Sequence, residues 1–277
     1  ALPILSAPEA VMTCSAVAYF FAKQVTEVLD IPVGLVISSW GGSRIESWMN
    51  EKTLASIDGV DIEAARSSKL KMHHRLGCMY DTMLWPVRNF TARGFLWYQG
   101  ESNIFNYYCY APMMTAMVQL WREVWEAPNM PFYYVQIAPH KYKDSQDTDA
   151  ALLREAQIKA LEIIPNSGMV STADIGDEFC IHPPQKDVVG LRLATLALTK
   201  TYNICGLPST GPTMTKVNYS EGKAIVTFDN ASAGLTPAFC NLKGFEIAGA
   251  DKKFYPAQAQ IIDRTPTVRV WSEQVEQ

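Results

Sequence analysis

Apolar positions recur at two different spacings along the chain, and the first two hundred residues alternate between them. Apolar residues at three- and four-residue intervals predict amphipathic helices over residues 15–29, 111–126, 151–164 and 187–202. Short apolar runs typical of buried strands fall between them, at residues 33–37, 93–98, 131–137 and 169–172. Strands that alternate with helices predict an α/β fold with a parallel sheet covered on both faces.

Polar segments follow the predicted strands. They are residues 38–43, 99–103, 138–140, 174–177 and 181–183. In open parallel sheets, binding and catalytic groups collect outside the carboxyl ends of the strands. Spacing alone therefore predicts one active site, built from segments that lie far apart in the sequence.

The pattern changes after a loop with several glycines and prolines at residues 206–212. Beyond it, apolar and polar residues alternate at 224–228 and again at 267–271, which predicts β-strands. We therefore predict an α/β domain over residues 1–207 and a small β-rich module over residues 208–277. We expect the module to be incomplete, because its last predicted strand ends close to Gln277.

The composition of the chain limits which kinds of molecule it could bind. The 277 residues carry 24 Lys and Arg against 28 Asp and Glu, a net charge of −4, and no basic cluster points to nucleic acid. No apolar run approaches the roughly 20 residues that cross a membrane, so we expect no membrane partner. The six cysteines include no C-x-x-C pair, which argues against a zinc site. Their even number permits disulfides without requiring them.

His182 is the first candidate for catalysis. It follows the last predicted strand of the α/β domain, with Asp174 and Asp177 a few residues upstream. Histidine titrates near neutral pH and therefore suits a general base. The alternative is a loop histidine that only satisfies backbone groups, which is the commoner case for a lone histidine. Because His182 follows a predicted strand, the catalytic and the structural interpretations carry about equal weight.

The Gly41–Gly42 pair is a candidate for the oxyanion hole. Glycine lets the backbone approach a ligand closely and direct N–H groups at it. Two such donors could stabilise an oxyanion, at about 3 kcal/mol for each donor. The alternative is a tight turn with no chemical role.

The segment from Gln99 to Asn103 places four hydrogen-bonding side chains around one glycine. The amide of Gln99 or Asn103 could donate to an oxyanion. Glu101 could pair with Arg44 or orient neighbouring loops. The alternative is a buried polar network that holds the loops together, and we expect both interpretations to hold in part. Ser102 does not lie in a G-x-S-x-G sequence, so it is not predicted to be a nucleophile.

Aromatic side chains flank these segments. We expect Trp48 and Trp97 to fill the core, whereas Trp40 could do so or could stack on a sugar ring. His73 and His74 lie in a charged segment and are predicted to be solvated. Adjacent histidines also have the wrong spacing for two ligands on one helical face.

Eight short segments resemble a known family. They are P-V-G-L at 32–35, S-W-G-G-S at 39–43, I-E-S-W at 45–48, W-Y-Q-G-E-S-N at 97–103, L-R-E-A-Q at 153–157, D-I-G-D at 174–177, I-H-P at 181–183 and L-K-G-F-E-I-A at 242–248. Together they resemble the sialate O-acetylesterase family over nearly the whole chain. The W-Y-Q-G-E-S-N string is long and therefore specific.

The resemblance implies a three-layer α/β/α hydrolase of the SGNH type that removes O-acetyl groups from sugars. The substrate expected first is 9-O-acetylated sialic acid, followed by acetylated xylan or a related polysaccharide. No metal or organic cofactor is implied, and the family suggests a periplasmic or secreted protein. His182 matches the catalytic base. We expect oxyanion or substrate contacts from six residues: Trp40, Gly41, Gly42, Gln99, Glu101 and Asn103.

Two departures from the family pattern affect the mechanism. The family nucleophile is a serine in a G-Q-S-N block on the first strand, and this sequence contains no such string. We expect the serine to lie outside this chain, upstream or on a complementary N-terminal fragment. Many SGNH enzymes carry an aspartate two or three residues before the histidine, where this chain has Cys180 and Phe179. Asp177, Asp174 or a backbone carbonyl could orient His182 instead, or a Ser–His pair could suffice.

A second class of function stays open at this point. A relative that keeps the pocket but lacks the nucleophile would bind carbohydrate without hydrolysing it.

Overall fold

The chain divides into two units, the first ending at Ser209 and the second beginning at Thr210. The structure is a computed structural model that describes residues 11–12, 14–142, 148–231, 234–237 and 239–275. The α-helices of the first unit are α1 (Ala16–Leu29), α2 (Glu51–Ala55), α3 (Ile62–Arg66), α4 (Tyr110–Val124), α5 (Asp149–Ile163) and α6 (Lys186–Lys200). Shorter helical turns cover Ile45–Trp48, Met72–His74, Tyr80–Leu84, Trp85–Val87 and Glu101–Cys109.

Local signals determine where α1 begins and ends. The Ser15 hydroxyl accepts a hydrogen bond from the Ala18 N–H at 3.3 Å, which caps the first turn. The helix stops at Leu29 because Asp30 adopts a left-handed conformation (φ 53°). The four long helices lie within two residues of their predicted bounds.

The sheet of the first unit is parallel. Its strands are β1 (Phe95–Tyr98), β2 (Phe132–Val135) and β3 (Ser167–Val170), paired in that order. Phe95 lies opposite Phe132, which lies opposite Ser167. The predicted α/β fold with a parallel sheet is confirmed, and the three strands fall within their predicted segments except for the first two residues of β3.

One predicted strand is absent. Residues 33–37 form neither helix nor strand, and β1 is the edge of the described sheet on that side. The side chains of Val36 and Ile37 are exposed. An apolar run becomes a strand only when a neighbouring strand supplies hydrogen bonds, and no described segment pairs with this one. The prediction of a strand at residues 33–37 is therefore wrong for the described structure.

Two hydrophobic clusters cover the two faces of the sheet. Phe132 and Tyr134 of β2 belong to the cluster that includes residues of α4 and α5. Tyr133 and Val135 point the other way and belong to the cluster that includes residues of α6. All four side chains are buried, as expected for a strand between two helical layers. Trp48 and Trp97 are buried in the first cluster, which confirms their predicted core role.

The second unit is built of antiparallel strands. They are β4 (Thr213–Ser220), β5 (Lys223–Asp229), β6 (Glu246–Ala248), β7 (Phe254–Pro256), β8 (Gln258–Ile261) and β9 (Thr267–Trp271). The larger sheet has the order β4-β5-β9-β8, and β6 pairs with β7. Small apolar side chains such as Ala224, Val268 and Val270 form its core. The six cysteines, all in described ranges, are free thiols. No described helix has the length and apolarity that a bilayer crossing demands.

Candidate active site

A large apolar cavity runs beside the free edge of the parallel sheet. Its volume is about 1090 Å³. Segments from both helical layers and from β1 line it, together with residues 31–43. Several predicted site residues line it as well: Trp40, Gly41, Gly42, Gln99, Glu101 and His182. The cavity therefore brings together residues of three of the five predicted segments, 38–43, 99–103 and 181–183, although no strand precedes the first of them. Residues 138–140 and 174–177 do not line it, so the predicted convergence of all five segments is wrong.

A tight turn presents two glycines at this cavity. The Ser43 N–H donates to the Trp40 carbonyl at 3.3 Å, which closes the turn around Gly41 and Gly42. Gly42 has a φ of +71°, a conformation that side chains with a Cβ rarely adopt. Within the described ranges, neither glycine N–H has a protein acceptor. Both donors therefore retain the capacity to bind an oxyanion.

The Gly42 carbonyl is held from two sides. The Ser102 hydroxyl donates to it at 2.9 Å, and Nε2 of His74 lies 2.9 Å from the same oxygen. Burial lowers the pKa of His74, and the nearby positive charge of Arg44 lowers it further. The ring is therefore neutral at pH 7, with its proton on Nε2, because a carbonyl can only accept. These two contacts fix the peptide that follows the turn.

The contacts of His74 and Ser102 with the Gly42 carbonyl were not predicted from the sequence. The two histidines were predicted to be solvated, yet both are partly buried. The His73 ring stacks on Trp40 with centroids 6.1 Å apart. Trp40 itself is 47% exposed, so the structure places it on the surface of the cavity and not in the core. Nothing in the spacing of these residues indicates that they meet.

His182 lies in the loop between β3 and α6, and its side chain is exposed at the cavity. The two upstream aspartates are bound elsewhere. One Asp177 oxygen accepts the N–H groups of Phe179 and Cys180, at 2.8 and 2.9 Å. Both Asp174 oxygens accept from the Arg192 guanidinium, at 2.8 and 2.6 Å. Arg192 thereby lowers the pKa of Asp174.

Glu101 lies in a different electrostatic environment. Burial raises the pKa of its carboxyl, while the positive charges of Lys186 and His182 act in the opposite direction. The Lys186 ammonium lies 5.1 Å from the centroid of the Tyr98 ring, and burial raises the pKa of Tyr98 to about 12. The suggested ion pair between Glu101 and Arg44 does not form. The central carbon of the Arg44 guanidinium instead lies 4.4 Å from the centroid of the Phe105 ring.

The comparisons with known proteins converge on one family. A family model described as carbohydrate esterase, sialic acid-specific acetylesterase, matches residues 8–199, more than half of the chain. The chain belongs to this family of carbohydrate esterases.

Individual relatives of the acetylesterase family agree with this assignment. Sialate O-acetylesterase of Homo sapiens is 28% identical over 229 residues, which cover 76% of this chain and 44% of that protein. The Mus musculus sialate O-acetylesterase is 27% identical over 260 residues, which cover 78% and 48%. The chain thus spans about half the length of the curated relatives it matches.

A solved structure supports the fold. XAC1771, described as a novel carbohydrate acetylesterase from Xanthomonas citri, superposes with a TM-score of 0.77 and 34% identity. The superposition covers 94% of this acetylesterase-family chain and 57% of the other.

The predicted role of the Gln99 and Asn103 amides as oxyanion donors needs correction. Nε2 of Gln99 donates to the Ser43 carbonyl at 2.9 Å and to Oδ1 of Asn103 at 2.6 Å. Nδ2 of Asn103 donates to Glu46 at 2.8 Å and to Asn106 at 3.1 Å. Each amide has two N–H groups, and both are used. The predicted oxyanion donors of this acetylesterase-family chain therefore hold loops together instead.

The described residues contain no group of three or more His, Cys, Asp or Glu side chains that could hold a metal ion.

Proposed function

We propose that this chain forms part of a serine esterase that removes O-acetyl groups from sugars. The observation that carries the proposal is a cavity lined both by His182 and by Gly41 and Gly42, whose N–H groups have no acceptor among the described residues. A base and two oxyanion donors are the protein groups that acyl transfer needs besides a nucleophile. Membership of the carbohydrate esterase family supports the acetyl ester as the bond that is cleaved.

The reaction follows from the roles of these groups. A serine hydroxyl attacks the acetyl carbonyl while His182 takes the hydroxyl proton. The Gly41 and Gly42 amides bind the resulting oxyanion. The imidazolium returns its proton to the sugar oxygen, which leaves as a hydroxyl, and an acetyl-serine remains. Water then attacks the acetyl-serine, His182 again acts as the base, and acetate and the free serine are restored.

We propose that the nucleophilic serine is supplied from outside these 277 residues. The family's G-Q-S-N block is absent from the sequence, and the Ser102 hydroxyl is committed to the Gly42 carbonyl. The free edge of β1 and the apolar cavity beside it would accept an additional strand. A segment upstream of Ala1, or a complementary fragment, would place its serine at the carboxyl end of that strand, beside His182.

An O-acetylated sialic acid is the proposed substrate, supported by the curated relatives, which are sialate O-acetylesterases. Position 9 of the sugar is proposed from the family resemblance of the sequence alone. A different acetylated carbohydrate is the second candidate. It is favoured by XAC1771, whose description names a carbohydrate acetylesterase and whose identity to this chain, 34%, exceeds the 28% of the human protein. Exposed Trp40, stacked on His73, offers an aromatic face to either sugar ring. By family analogy we propose an exported protein.

Acetate release tests the proposal. The 277-residue chain and a longer form that includes an upstream G-Q-S-N block are each assayed with 9-O-acetylated sialic acid and with acetylated xylan. We expect release by the longer form only, and a loss of about 10³-fold or more in kcat for His182→Ala. His140→Ala is the matched histidine control, because His140 does not line the cavity. Sugar binding without acetate release by the longer form would instead support a non-catalytic relative.

A further inference from the structure

A strip of aromatic and cationic side chains starts at the cavity. Trp40, which lines the cavity, stacks on His73. The ring centroids of His73 and His74 lie 4.5 Å apart. The Arg44 N–H donates to the His73 carbonyl at 3.3 Å, and the central carbon of the Arg44 guanidinium lies against the Phe105 ring. These five residues form what we call the strip.

The strip borders the turn that carries the free glycine N–H groups. Nε2 of His74 lies 2.9 Å from the Gly42 carbonyl oxygen. A Cβ built on Gly42 would lie 4.0 Å from Nε2 of His73. Arg44 is near enough to His74 for its charge to lower the pKa of that ring. An ester carbonyl bound at the turn would therefore place the rest of a sugar within reach of the strip.

The Arg44 guanidinium has unused binding capacity. No Asp or Glu in the part of the chain that the structure describes forms an ion pair with it. Its Nε is buried without a hydrogen-bond partner, which weakens folding and needs an explanation. The two terminal nitrogens also lack an acceptor among the described residues but are not buried, so they face solvent.

The charges around the strip favour an anion. The charged groups that act on His74 are Arg44, His73 and Lys71, and all three act as cations. Glu46, the acidic residue nearest to Arg44 in sequence, is buried and accepts from two asparagine amides. A guanidinium with free terminal nitrogens suits a carboxylate, which it can bind through two parallel hydrogen bonds.

We propose that Arg44 forms a carboxylate-binding subsite for an acidic sugar. The two terminal nitrogens donate to the carboxylate, Phe105 supports the guanidinium, and the exposed Trp40 ring packs against the sugar. The inference rests on the proposed esterase function and narrows its substrate. Sialic acid and glucuronic acid both carry a carboxylate, whereas neutral acetylated sugars do not. Of the two, we expect sialic acid.

A structural clamp is the competing explanation. The contact between Arg44 and Phe105 joins the segment after the glycine turn to the helical turn Glu101–Cys109, and it could serve only to hold the two together. A clamp would not respond to the charge of a ligand. The test must therefore compare ligands that differ in that charge alone.

NMR titration of the 277-residue chain makes this comparison and requires neither the serine nor an ester. The probes are the methyl α-glycoside of N-acetylneuraminic acid, its carboxamide, and methyl glucuronide. We expect the sialic acid to bind about 10-fold or more tightly than its amide, which lacks the charge-assisted hydrogen bonds. The bound carboxylate should also raise the pKa of His74, because it offsets the charge of Arg44.

Two variants separate the guanidinium from general charge. Arg44→Met keeps an apolar stem against Phe105 and should abolish the preference for the acid over the amide. Lys71→Gln, the matched loss of a nearby cation, should retain that preference. In a longer form that releases acetate, Arg44→Met should lower kcat/KM for O-acetylated sialic acid relative to a neutral acetylated xylo-oligosaccharide by about 10-fold, mainly through KM.

The outcomes separate the subsite from the esterase function. Equal affinity for the acid and the amide, or binding of neither, overturns the subsite, as does an equal loss in Arg44→Met and Lys71→Gln. Binding of the glucuronide alone, dependent on Arg44, supports the subsite and overturns sialic acid as its ligand. A longer form that releases no acetate overturns the esterase function but leaves the binding result intact. If Arg44→Met does not fold, the wild-type comparison of acid with amide and the pKa of His74 decide.

Discussion

Replacing Asn103 by alanine should strongly destabilise the first unit. Asn103 is fully buried, and its amide joins three segments of the chain. Its Oδ1 accepts from the Ile45 N–H at 3.0 Å and from Gln99 at 2.6 Å. Its Nδ2 donates to Glu46 at 2.8 Å and to Asn106 at 3.1 Å. Alanine removes all four hydrogen bonds at once.

The size of this loss in stability follows from the polar groups that Asn103→Ala would leave without a hydrogen-bond partner. The Ile45 N–H, one Gln99 N–H, one Glu46 oxygen and the Asn106 side-chain oxygen lose their partner, although Gln99 keeps its other bond, to the Ser43 carbonyl. A buried polar group left unbonded costs about 1–3 kcal/mol. Allowing for partial relaxation, we expect a loss of about 3–5 kcal/mol from the free energy of unfolding. At roughly 2–4 °C for each kcal/mol in a domain of this size, Tm should fall by about 6–20 °C.

Tryptophan fluorescence during urea denaturation measures this loss. Trp271 is the only one of the seven tryptophans outside the first unit, so the signal reports mainly on that unit. Asn129→Ala is the matched control, because Asn129 is exposed and its side chain has no hydrogen bond to the described residues. A loss below about 1 kcal/mol for Asn103→Ala, or a loss equal to the control's, would refute the reasoning from buried hydrogen bonds.

Three further predictions concern packing and charge. In Gly176→Ala the new Cβ would lie 2.6 Å from Cδ of Pro139 and 2.7 Å from its carbonyl oxygen, so urea denaturation should show a loss of about 1–3 kcal/mol. Burial raises the pKa of Glu101, so its ionised form weakens folding at high pH. Thermal scans should show Glu101→Gln gaining stability at pH 8 and not at pH 4. Arg192→Met removes the ion pair that lowers the pKa of Asp174, whose stabilisation exists above the unfolded-state pKa and disappears in acid. Urea denaturation should show a loss of up to about 1 kcal/mol at pH 7, where the partly exposed pair is ionised, and little at pH 2.

The regular elements of the first unit could be predicted well because their signals are local. α4 was predicted at residues 111–126 and covers Tyr110–Val124, since helical spacing of apolar residues needs no knowledge of the partner. The run at residues 33–37 has an equally strong apolar signal, yet it forms no strand. A strand depends on hydrogen bonds from another segment, and that information is not contained in the five residues themselves.

Part of the convergence at the site was also predictable, because it follows from topology. Glu101 follows β1 and His182 lies in the loop after β3, so both were expected at the same edge of the sheet. The Gly41–Gly42 turn lines the cavity as well, but the strand on which that expectation rested does not form. The contacts of His74 and Ser102 with the Gly42 carbonyl were not predictable. They depend on how the Met72–His74 turn packs, which has no periodic signature.

Two kinds of polar residue occur at this site: some could take part in catalysis, and others only hold loops together. They differ in whether their hydrogen-bond donors are already used. Gln99 and Asn103 are the residue types that an oxyanion hole uses, but every one of their amide N–H groups already has an acceptor. The Gly41 and Gly42 N–H groups have none among the described residues. A buried donor that is already bonded would have to give up a bond worth about 1 kcal/mol to serve a transition state, whereas a free donor gives up only a water. Residue type alone cannot reveal this difference, because the same amides suit both tasks.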